Sequence, residues 1–253
     1  MCKKVLPSIQ SASELKQHVE RLVRHDYLKL YIDNTLPEED ELWLVFTILK
    51  KRESDERALA ITLAWGFVHA GLAIHELVSL HNKNDDESKK RRQLNVLAGD
   101  FYSSLYYQSL AGASAVDMVE LFGSTLQDIY EYKMTSYMDN QASPAEQLHY
   151  TKEIESLLLV AILDQIGESV YKELIQAFFL YKWLQKEVKR ENLESPSSFF
   201  YALKKENDEI DSNQLEVFKQ QSISELNREL EKHDNGDEVI EVIQHFLHTS
   251  GGE

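Results

Sequence analysis

Between Leu15 and Leu247, apolar residues recur three and four positions apart, and only 4 Pro and 9 Gly punctuate 253 residues. That spacing collects side chains on one face of an α-helix, whereas a half-buried strand requires alternation with a period of two. No segment alternates convincingly, and no internal repeat is evident. The expected fold class is therefore all-α: a single helical-bundle domain over 1–253, with a core drawn from the 43% hydrophobic residues. The C-terminal third, 195–253, carries a thinner stripe of Leu215, Phe218, Leu226 and Leu230 and reads as peripheral helices.

Element boundaries are chemically marked. Leu15, Val19, Leu22, Val23, Tyr27, Leu30 and Tyr31 share one face, which predicts a first helix reaching about Tyr31, and Ser11 with Glu14 has capping-box spacing before it. A second helix is expected to open at Pro37, with Glu38 to Glu41 at the positive end of its dipole and Lys50, Lys51 and Arg52 at the negative end. The hydrophilic stretch 81–92 reads as an exposed loop, acidic first and basic after. A further helix is predicted over about 114–137, and Ser143-Pro144-Ala145-Glu146 starts another. Gly167 marks a break before a segment rich in Phe178, Phe179, Tyr181 and Trp183, and Ser195-Pro196-Ser197-Ser198 marks a second.

The run 58–74 is interrupted only by Thr62 and His69, so it is a candidate membrane span. It falls short of the roughly 20 apolar residues a span needs. A buried central helix is the better reading, with Gly66 and Gly71 admitting close neighbours. The net charge of −16 disfavours a broad footprint for nucleic acid or anionic lipid. Cys2 is the single cysteine, which excludes an intrachain disulfide and a cysteine-based zinc site. With no signal-peptide pattern in the first residues, the expectation is a soluble cytoplasmic protein.

Gln93-Leu94-Asn95-Val96-Leu97-Ala98-Gly99-Asp100, followed by Tyr106-Tyr107, resembles the LAGD helix of trans-prenyl diphosphate synthases. With Arg92 in front, the segment is most similar to component I of bacterial heptaprenyl diphosphate synthase, the small subunit of a two-component enzyme. The resemblance is plausible over 59–137 and faint after Gly167. It implies a bundle of the isoprenoid-synthase type. In that family, Mg²⁺ held by carboxylates on two DDxxD helices stabilises a leaving diphosphate. Here the first motif falls on Ile74-His75-Glu76-Leu77-Val78-Ser79-Leu80, so that only His75 and Glu76 remain and Leu77 and Leu80 replace two aspartates. The second would fall near 178–185, where there is no acid and Lys182 adds positive charge.

The implied role is that of a non-catalytic subunit, with no catalytic residue, metal or cofactor of its own. Mg²⁺ and both diphosphates would sit in a DDxxD-bearing partner that extends farnesyl diphosphate with isopentenyl diphosphate for the menaquinone side chain. Gly99, Asp100, Phe101, Tyr102, Leu105, Tyr106, Met118 and Phe122 are the candidate interface or tunnel-wall residues, in contact with the partner and the growing prenyl chain. Arg91 and Arg92 are candidate diphosphate contacts. On a helical wheel Gln93, Asp100, Ser104 and Tyr107 form a polar stripe, and Leu94, Leu97, Ala98, Phe101 and Leu105 an apolar one. Core packing explains the apolar candidates equally well.

Rival readings rest on less. Glu146 and His149 have the Glu-x-x-His spacing of di-iron proteins without the second pair such a site needs. An all-α metal enzyme would have to draw on His69, His75, Glu76, Glu146 and His149. His25-Asp26 and the His245/His248 pair are weaker still, and a helical adaptor unconnected with isoprenoids is the remaining alternative.

Overall fold

A computed structural model describes residues 9–32, 34–78, 85–139, 142–190 and 212–250. Expectations placed on the first residues with Cys2, on Leu80, on 81–84 and on 195–198 lie outside them. The described residues are all-α, with no strand among them. Among the described residues are nine α-helices: α1 Ala12–Val23, α2 Glu39–Lys50, α3 Asp55–Glu76, α4 Asp86–Gly112, α5 Val116–Met138, α6 Pro144–Ile166, α7 Lys172–Arg190, α8 Ser212–Leu230 and α9 Glu238–Ser250. The chain divides into two compact units, one of Met1–Val119 with Glu241–Glu253 and one of Glu120–Ile240.

In the first unit α3 packs against α2 and, most extensively, against α4. Its most apolar 18-residue window is 78% buried, the burial of a core helix. Gly71 of α3 faces α4: a Cβ on it would stand in ordinary van der Waals contact with the Tyr102 Cβ, at 3.7 Å, and the Gly99 carbonyl oxygen, at 3.8 Å.

In the second unit α7 packs against α6 and α8. Leu180, Leu184 and Leu215 form a small core there with Leu148, Trp183 and Phe218 at its edge. A buried polar clamp joins α5 to α6: the Ser136 hydroxyl donates to Gln147 Oε1 at 2.7 Å, and Gln147 Nε2 donates back to the Ser136 carbonyl at 3.3 Å. Ser143 and Glu146 form the expected capping box, and Gly167 ends α6 in the left-handed region at φ +76°.

Three boundaries differ from expectation. The first helix stops at Val23, because Arg24 is extended and the His25 Nδ1 accepts the Leu28 amide at 3.3 Å to start a short 3₁₀ turn, Leu28–Leu30. Tyr27 and Leu30 therefore leave the stripe, and both are exposed. Pro37 lies outside α2, which opens with a Glu38/Glu41 capping box. Residues 86–92 are helix, not loop: Asp85 caps α4 by accepting the Ser88 amide at 2.7 Å, and Asp86 and Glu87 occupy the first turn. Acid-before-base is the order a helix dipole favours, which is why the same residues suit a helix start.

Candidate functional site

The last turn of α3 brings the residues of the degenerate first motif onto the LAGD helix. His75 lies across Gly99 so closely that a Cβ there would stand 2.3 Å from both Cε1 and Nε2 of the imidazole. Glu76 is exposed and Leu77, half-buried, ends the helix. Asn95, only 2% exposed, donates from Nδ2 to the Leu77 carbonyl at 3.3 Å, while its Oδ1 has no hydrogen-bond partner. Neither helical-wheel stripe included Asn95. A single buried amide within an apolar helix face was the available signal, since buried polar groups are normally there to satisfy a neighbour.

This donor set does not fit a magnesium cluster. One carboxylate, one imidazole packed on a glycine and one neutral amide replace the facing aspartates that hard-cation binding requires. Among the described residues no three His, Cys, Asp or Glu side chains come together as a metal site. At the place of the second motif Lys182 is buried, its ammonium 5.8 Å from the Phe178 ring centroid. Tyr181 beside it accepts a 2.9 Å hydrogen bond from Gln185, and burial pushes its phenol upward.

The residues of the metal-enzyme reading have other employment. His69 stacks on Trp65 at 5.3 Å, and the Glu146 carboxylate accepts from the Ser143 amide and hydroxyl, each at 2.7 Å. His149 is exposed, as are His245 and His248 on α9.

The face of α4 that is buried differs from the one the wheel assigned. Leu94, Asn95, Ala98, Gly99, Tyr102, Tyr106 and Leu110 point inward. Leu97, placed in the apolar stripe, is 58% exposed, and Phe101 and Leu105 are half-buried. The cause is the glycine contact, which turns the Asn95–Gly99–Tyr102–Tyr106 side of α4 toward α3 regardless of where the bulkiest aliphatics fall. Leu97 and the half-exposed Tyr107 consequently flank Asp100 and Ser104 on the outward face, with Val96 at its edge. Met118 and Phe122 are fully buried along α5.

At the start of α4, Lys90 rests 4.0 Å from the Tyr31 ring centroid and 5.3 Å from that of Tyr27. The two tyrosines hold its ammonium above the usual lysine range, Tyr31 contributing most. Arg91 is exposed and Arg92 half-buried.

A family model described as heptaprenyl diphosphate synthase subunit 1 matches residues 25–235. The chain belongs to the heptaprenyl diphosphate synthase subunit 1 family. It is 31% identical over 101 residues to heptaprenyl diphosphate synthase component 1 of Geobacillus stearothermophilus, a match taking in 40% of this chain. That match spans 46% of the relative's own length, less than half of it. Among solved structures, geranylgeranyl pyrophosphate synthetase from the archaeon Geoglobus acetivorans superposes with a TM-score of 0.61 at 12% identity, over 94% of this chain and 95% of the other. At that identity the likeness concerns the fold, which is of the isoprenoid-synthase type. Membership of the subunit 1 family associates the chain with prenyl diphosphate synthases.

Proposed function

We propose that this chain is the non-catalytic subunit of a two-component long-chain all-trans prenyl diphosphate synthase, dependent on a DDxxD-bearing partner. The observation that carries the reading is the filled first-motif position. His75 occupies the space above Gly99, and among the described residues Glu76 joins no group of three metal-ligating side chains.

The partner would bind Mg²⁺ and both diphosphates. This chain's own contribution is a rigid helical surface. α4 offers Leu97, Asp100, Ser104 and Tyr107 outward, an apolar pair around a charged and a hydroxyl group, the composition expected at the centre of a heteromeric contact. Phe101 and Leu105 stand at its edge, while Gly99, Tyr102 and Tyr106 hold the helix on α3 from behind. Met118 and Phe122, buried on α5, are the remaining apolar candidates of this reading, and Arg91 provides a cation at the start of α4. The cellular setting of this reading is the cytoplasm, and the product is a heptaprenyl chain destined for menaquinone.

Reconstitution tests the proposal. This chain alone, a DDxxD-bearing component alone and their mixture are assayed for Mg²⁺-dependent incorporation of isopentenyl diphosphate, with activity expected of the mixture. Turnover by this chain alone refutes the non-catalytic assignment, and no gain on mixing refutes the partnership.

A further inference from the structure

We propose that the outward face of α5 over 120–137 is a seam on which a second copy of this chain docks, with its own α5 lying antiparallel. Within the second unit, Glu120, Gly123, Gln127, Tyr130, Met134 and Tyr137 recur at steps of three and four, and all are exposed. That spacing is the seam of a helix that packs along another helix. The core of the unit lies on the opposite side of α5, where Phe122, Thr125, Ile129 and Ser136 are buried. Tyr130, Met134, Tyr137 and the neighbouring Met138 are between 44% and 74% exposed, large side chains together on one helix surface. Single apolar residues scattered over a surface are ordinary, whereas a contiguous row marks a contact site.

The row is complementary to itself when reversed. Turned end for end on a second α5, it sets Glu120 against Tyr137 of the other copy, Gly123 against Met134 and Gln127 against Tyr130, and the two-fold axis repeats each pair. Every pair is chemically matched. A Cβ on Gly123 would meet nothing within 4 Å, so the space above it is open to the long, unbranched Met134 side chain. The Tyr137 phenol can donate to the Glu120 carboxylate. Gln127 Nε2 is turned along its own helix, donating to Glu131 at 3.4 Å, which leaves the amide oxygen to accept from the Tyr130 phenol.

The flanks agree with this pairing. Residues beside an antiparallel seam meet the same side of the other helix, which brings Ser124 to Glu131 and Leu126 to Lys133, so no two like charges face each other there. A parallel pair would instead oppose Glu120 to Glu120 and leave a gap between two glycines at 123, losing both charge compatibility and packing contacts. The antiparallel contact is isologous and closes as a dimer. A seam this short makes a small interface, and two chains of net charge −16 repel at a distance, so the dimer is weak and salt strengthens it.

Sedimentation velocity on the full chain without partner, at high salt and from about 1 to about 200 µM, tests this. A reversible dimer with a dissociation constant on the order of 10 µM is expected. Tyr130→Glu and Met134→Glu, both at exposed positions, should each weaken it at least about tenfold while circular dichroism stays helical. In a Cys2→Ser background, Gly123→Cys and Met134→Cys chains should cross-link when mixed and oxidised, and neither should do so with itself. Cross-linking of either variant alone, or none in the mixture, overturns the antiparallel seam. A chain that stays monomeric throughout, or a dimer indifferent to both glutamates, overturns the second copy as occupant; a monomer whose Met134→Glu variant no longer co-elutes with a DDxxD-bearing component overturns it in favour of that protein. The chain is measured alone, so this result and the reconstitution above can fail independently.

Discussion

At the scale of single residues, Gly99 is the most tightly packed of the described glycines. A methyl group there would overlap the His75 ring, so Gly99→Ala forces the imidazole aside and costs about 1–3 kcal/mol in urea unfolding. The cost is specific to that contact: in a double-mutant cycle, adding His75→Ala should recover most of it, and strict additivity would show that His75 is not what the methyl meets. A second residue-level expectation concerns Asp117, whose carboxyl is held below its ordinary value of 3.8 chiefly by a hydrogen bond from Arg57, which also pairs with Glu53 at 3.0 Å. A depressed folded value means that the contribution is complete above the ordinary carboxylate range and is lost as pH falls from there through the lower folded value. Asp117 is about half exposed, so solvent screening limits the pair to less than about 1 kcal/mol. Asp117→Asn should therefore lower the unfolding midpoint slightly at pH 7 and leave it unchanged near pH 2; an equal deficit at both would exclude ionisation as the cause.

At the scale of elements, helix ends and inter-helix clamps carry the testable energetics. Gly167 closes α6 in a left-handed conformation with open space around its Cα, so Gly167→Ala costs about 1 kcal/mol through backbone strain alone, without a packing defect. The Ser136–Gln147 clamp is a buried two-way exchange between α5 and α6. Gln147→Leu removes both buried hydrogen bonds that the amide exchanges with Ser136 and should cost about 1–3 kcal/mol. Thermal denaturation would check both, and a Gln147→Leu protein as stable as the parent would mean that water replaces the lost partners. The break after α1 belongs to this scale too. Periodicity alone continued the helix through Tyr31, because a stripe does not record that a histidine ring can capture the Leu28 amide and turn the chain.

At the scale of the whole molecule, the proposed role places function on a surface. Leu97→Glu with Tyr107→Glu on the outward face of α4 should abolish co-elution with the catalytic component and the activity of the mixture, while the far-ultraviolet dichroism of the chain stays helical. Retained assembly would move the contact elsewhere. How much of this was legible beforehand differs by feature. The all-α class, the capping box at Ser143, the glycine stop at 167 and the loss of both aspartate motifs are written in local spacing and side-chain chemistry, so the sequence by itself determined them, together with the resemblance to a prenyl synthase subunit. Which side of α4 faces inward was decided by tertiary structure alone. Hydrophobicity favoured Leu97 and Phe101, but the seating of the His75 ring on Gly99 turned Asn95, Tyr102 and Tyr106 to the core instead and put Leu97 outside. A wheel ranks side chains by polarity; it cannot know that one missing side chain, where a ring from another helix is seated, will set the rotation at which those helices meet.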